Sequence, residues 1–146
     1  MGTRSLTRVY GSWEDEKSKK YRNCVLAMYR QFDGYPSGHG QDLYTFLKDI
    51  KICNGIGVEH QNGKWANGMG CLAAQLVAHF KTEIGKFYLT IENNIQEWVY
   101  DIELENEKVK ITVYTSEWEN NREVIKKPVF SGTIKQFAKF VKNKDL

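Results

Sequence analysis

A chain of 146 residues with 41% hydrophobic and 13% aromatic content has a globular composition, and is long enough to bury roughly two-thirds of its unfolded surface in one core. One domain spanning 1–146 is expected. Twenty-one Lys and Arg against eighteen Asp and Glu leave a formal charge of +3, far from the dense basic stripe that grips duplex nucleic acid.

Along the chain, 3–10 alternates Leu6 and Val9 with polar residues, 11–20 is charged, and 23–32 is apolar again, which reads as a hairpin with a solvated tip. The run from Cys24 to Tyr29 is too continuously apolar for an edge strand, so a central place with both faces covered is expected. Leu43, Phe46, Leu47 and Ile50 fall at helical spacing. Cys53 to Gly70 carries five glycines and three Asn-Gly pairs with little periodicity, and reads as a long structured loop or a small hairpin. Met69 to Lys81 places Leu72, Ala73, Leu76, Val77 and Phe80 on one helical face, with so little charge opposite that burial on most sides is expected.

From Lys86 the period changes to two. Phe87–Ile91, Trp98–Leu104 and Val109–Tyr114 read as an antiparallel meander, followed by a charged loop over 117–127 and a short strand at 129–132. Thr133 and Gln136 form a capping-box pattern ahead of a short amphipathic helix. The fold class is therefore α+β: an antiparallel sheet of five to six strands, two central helices on one face and a short C-terminal helix at an edge.

Chemistry-bearing residues concentrate in two glycine-rich loops, each running into a helix. In the first, Arg30, Asp33, Tyr35, Ser37 and His39 lie within ten residues. One reading is a polar pocket, with Arg30 as a fork for phosphate or carboxylate, Tyr35 as a stacking surface, and Ser37 and His39 as hydrogen-bonding groups. The other is a self-satisfied loop in which Arg30 pairs internally with Asp33. In the second loop, Asn67, Gly68, Met69 and Gly70 can present backbone amides to an anion, with Trp65 as a stacking surface, although the Gly-Lys-Ser/Thr ending of a P-loop is missing. Those glycines also suit close packing of the helix on the sheet. Cys24, Cys53 and Cys71 form no Cys-x-x-Cys pair and read as small buried hydrophobes. The three histidines lack metal-ligand spacing, so neither a metal nor a cofactor is expected, and His79 reads as a hydrogen-bonded core histidine.

Gly2-Thr3-Arg4-Ser5-Leu6-Thr7, Met28 through Gly40 (MYRQFDGYPSGHG) and Asn67 through Lys81 (NGMGCLAAQLVAHFK) resemble a family of small proteins encoded mainly by bacteriophages and prophages, over nearly the whole chain. The resemblance implies a viral setting and a role such as counter-defence, by binding a host factor or sequestering a nucleotide second messenger. No assigned activity comes with it.

The reading that follows is a non-enzymatic binding protein for a small anionic ligand, with the two glycine loops forming one site from Arg30, Asp33, Tyr35, Ser37, His39, Trp65, Asn67 and Met69. The competing readings are a phosphoester-acting enzyme using His39, Arg30 and Asp33, and an inhibitor of a host protein. No apolar run spans a bilayer and the N-terminus lacks an export segment, so placement in the host cytosol without a membrane partner is expected. An aromatic-rich sheet makes self-association a further expectation.

Overall fold

The computed structural model describes residues 2–143. Strands β1 (Ser5–Glu14) and β2 (Lys20–Arg30) form the expected hairpin, with a bulge opposite Val9 and Tyr10. A π-helical turn over 36–40 leads into α1 (Gln41–Leu47), then β3 (Ile50–Cys53), a 3-10 turn over 58–60, β4 (Lys64–Asn67) and α2 (Gly68–Phe80). The remainder is β5 (Phe87–Leu89), β6 (Trp98–Glu105), β7 (Lys108–Glu119), β8 (Arg122–Thr133) and α3 (Ile134–Val141).

Six strands lie in the order β5-β2-β1-β6-β7-β8, and every neighbouring pair is antiparallel except β1 with β6. Alternation along β1 explains the two layers. Val9 points to the helical side, where Met28, Ile102, Ile111 and Val113 meet Leu43 and Phe46 of α1, Leu72 and Leu76 of α2, and Phe137 and Val141 of α3. Leu6 points the other way, to Ala27 and Val99, partly covered by Ile95 and Ile125. Beside them the Arg8 guanidinium forks onto Asp101 at 2.7 and 2.9 Å, both residues nearly sealed from solvent.

The α+β expectation holds, with local differences. The β1–β6 pairing is parallel, which a period of two cannot reveal because both orientations share it. β2 is second from the edge, and β5 pairs only with Met28 to Arg30. The stretch expected as a loop over 53–70 supplies β4 to a two-stranded parallel ribbon with β3, which precedes it, and Ile50 opens β3 rather than ending α1. The charged stretch 117–127 is a continuation of the β7–β8 hairpin, turned by Asn120 and Asn121 at positive φ. Thr133 and Gln136 complete the expected capping box: the Gln136 N–H donates to Thr133 Oγ1 and the Thr133 N–H to Gln136 Oε1. Among the described residues no helix is long and apolar enough to cross a membrane.

Two burial expectations fail. Ala74, Ala78 and His79 of α2 are exposed, and His79 lies against the Phe46 ring at 4.9 Å instead of entering the core. Cys24, Cys53 and Cys71 are free and only half-buried.

Candidate functional site

The two strongest polar candidates of the first glycine loop, Arg30 and His39, turn inward. Arg30 ends β2 on the helical side, 3% exposed, and its Nε donates to the Phe32 carbonyl at 2.7 Å. Its Nη1 donates to Asp42 Oδ2 at 2.7 Å and to His39 Nδ1 at 3.1 Å. A guanidinium can only donate, so Nδ1 carries the lone pair and Nε2–H donates to Thr7 Oγ1 at 2.6 Å. His39 is fully enclosed, ringed by Phe80, Phe87 and Tyr100. Burial first, then the Arg30 and Lys86 charges, hold its pKa well below the ordinary imidazole value.

The glycines of this loop serve packing. A Cβ on Gly34 would lie 2.8 Å from the Arg4 carbonyl carbon, and one on Gly38 2.5 Å from the Asp33 carbonyl oxygen. The Gly34 carbonyl accepts the Tyr100 hydroxyl at 2.7 Å in the core. Outside this seal, exposed Asp33 takes a positive φ and accepts the exposed Tyr35 hydroxyl at 3.2 Å, while Ser37 faces solvent. The Arg30 partner is thus Asp42, on α1, and not Asp33. Neither the pocket nor the His39–Arg30–Asp33 catalytic set is assembled: both His39 ring nitrogens are engaged, and Asp33 is on the outside.

The second glycine loop is built the opposite way. β4 passes directly into α2, so the helix amino terminus lies at the carboxyl end of the β3–β4 ribbon, the arrangement in which parallel strands present ligand sites. The later parts of β1 and β6 arrive at the same place. Together they enclose a groove of about 660 Å³ lined by Ser12, Asn54, Gly68, Met69, Gly70 and Glu107, among others. Asn67, at the N-cap, does not cap the helix; its Oδ1 accepts the Gly55 N–H at 2.7 Å and shapes the neighbouring turn. The first turn of α2 holds no acidic side chain, so its amides and the positive end of the helix dipole are left to whatever enters the groove.

Cβ atoms placed on Gly55, Gly68 or Gly70 would meet nothing within 4 Å. Positive φ accounts for glycine at the first two positions. Gly70 has ordinary helical backbone, is exposed, and is crowded by nothing among the described residues, so neither conformation nor their packing requires it.

The eight residues expected to form one site are therefore divided. Arg30 and His39 are in direct contact inside the core, and Asp33 and Tyr35 pair at the surface. Met69 lines the groove, buried on its other side. Asn67 shapes the groove's edge. Trp65 is half-buried on β4, donating to the Asn62 carbonyl at 3.1 Å and meeting His60 edge-on, with no place in the groove lining. The two loops cannot make a common site: His39 packs on Phe80, the last residue of α2, and the second loop opens at Gly68, the first, roughly 18 Å away along the helix. Ser12, Asn54 and Glu107 are the lining residues that the sequence did not single out. Asn54-Gly55 was visible as a turn signal, but the parallel pairing that gathers these residues was not. Cys71, in the first turn of α2, has its sulfur 3.6 Å from Gln75 Oε1, and among the described residues no imidazole is recorded against it.

Compared with known proteins, the chain matches no family model, no curated protein and no solved structure.

Proposed function

We propose that this is a phage-borne binding protein that holds a small anionic ligand, such as a nucleotide second messenger, in the groove at the start of α2 and releases it unchanged, in the cytosol of a bacterial host. The observation that carries the reading is Gly70. A glycine inside the first turn of a helix costs about 0.5–1 kcal/mol relative to alanine, and nothing in the fold offsets that cost, whereas close approach of a ligand to the backbone amides would. Glu107, also in the groove lining, suits the hydroxyls of a ribose, which a carboxylate accepts well. Binding without turnover is favoured because the imidazole nearest to an acid–base role is sealed in the core. Direct capture of a host protein is the second reading, supported by Ile56 and Val58, 78% and 79% exposed just beyond Asn54.

The test is native mass spectrometry on protein purified from bacteria, followed by denaturation and identification of any released small molecule. A stoichiometric, chemically intact nucleotide in the parent protein, and one equivalent fewer in a Gly70→Glu variant, is expected. A chemically altered nucleotide would replace binding with catalysis.

A further inference from the structure

We propose a second binding site on the opposite face of the sheet, in the groove between the 90–97 segment and the tip of the β7–β8 hairpin, for a nucleotide unit: a base together with its phosphate. The groove is about 660 Å³ and includes Arg4, Asn93, Trp118, Asn121 and Arg122 in its lining. Its chemistry stands out against the rest of the chain.

Five arginines are present in the sequence. Arg8 is paired with Asp101, Arg22 with Glu103 and Arg30 with Asp42. Among the described residues no carboxylate is recorded against the other two, Arg4 and Arg122, and both line this groove. The tryptophans divide in the same way. Trp13 stacks on Tyr21 at 4.2 Å, Trp65 meets His60, and Trp98 packs against the core, whereas Trp118 is 70% exposed and, among the described residues, has no aromatic ring beside it. The lining also holds one carboxylate, Glu123, whose Oε2 accepts the Ser116 hydroxyl at 3.0 Å.

An exposed indole offers a face on which any base can stack. Unpaired guanidiniums fork phosphate oxygens, and the Asn93 and Asn121 amides can donate to and accept from base edges. A free nucleotide and a single strand of nucleic acid share this chemistry. The site is independent of the α2 groove and stands or falls separately from it.

The test is fluorescence anisotropy of a labelled octathymidylate on the full chain, with unlabelled adenosine monophosphate as competitor and as a ligand titrated calorimetrically. Trp118→Ala is expected to weaken binding about fivefold or more. An Arg4→Gln/Arg122→Gln double variant should weaken it about tenfold and flatten its salt dependence. Gly70→Glu should bind like the parent. Displacement by the mononucleotide identifies a free nucleotide as the ligand, and binding by the oligomer alone identifies a strand; either supports the site. Failure of both to bind, or binding that Trp118→Ala leaves unchanged while circular dichroism shows the variant folded, would overturn it.

Discussion

The two glycine-rich loops at the ends of α2 look alike in composition and do opposite work. Around Gly34 and Gly38, hydrogen is needed because backbone atoms lie where a Cβ would be; around Gly68 and Gly70, a Cβ would enter open space. The first loop closes on a buried Arg30–His39–Thr7 chain, while the second leaves the start of a 13-residue helix without a side-chain cap. A glycine is informative about ligands only when the chain itself does not need it.

The sharpest way to break this contrast is at Gly34. Alanine there meets Arg4 and Ser5 backbone atoms at 2.8 and 2.9 Å, neither of which can rotate away. A loss of about 3 kcal/mol is expected, equivalent to a fall in Tm of roughly 10 °C. Arg30→Ala follows, at about 2–3 kcal/mol, because it leaves His39 Nδ1 without a donor in the core. Urea unfolding of both variants measures these losses, and the folded fraction should keep parental affinity at the α2 groove.

Next in size is a pH effect. The unfolded chain protonates His39 as the pH falls through about 6.5 and the folded chain does not, so unfolding takes up a proton and stability declines on acidification. The slope attributable to this group approaches about 1.4 kcal/mol per pH unit below that value. Unfolding midpoints between pH 7 and 5.5 should converge for the parent and a His39→Gln variant, with the variant showing the shallower decline. The smallest stability effect is the most discriminating: Gly70→Ala should raise Tm by about 1–3 °C while weakening ligand binding. A gain in both would remove the reason for glycine at that position.

Much of the fold was legible because periodicity is a local property. The capping box at Thr133, the helix over 68–80 and the strands after Lys86 each follow from residues a few places apart. The site was legible only in part. Asn67 and Met69 announced themselves through the Asn-Gly-Met-Gly pattern, but Ser12 on β1 and Glu107 in the turn after β6 reach the same groove because those two strands pair in parallel across more than eighty residues of chain. Arg30 and His39 looked available because the sequence shows their polarity and not their burial. The Asp42 partner that secures Arg30 lies in the first turn of the following helix, just beyond the loop in which a partner was sought.

The most direct measurement is isothermal titration of a nucleotide panel into Trp118→Ala, which removes the stacking face of the second groove, and into the same variant carrying Gly70→Glu or Tyr35→Phe. Substitution at Gly70 places a carboxylate among the amides of the α2 first turn without disturbing the core, and Tyr35→Phe touches only the outer surface of the first loop. Saturable 1:1 binding that Gly70→Glu abolishes and Tyr35→Phe preserves is the expected result. Binding that survives Gly70→Glu and is lost with Tyr35→Phe would place the ligand at the first loop and contradict the division of labour between the two.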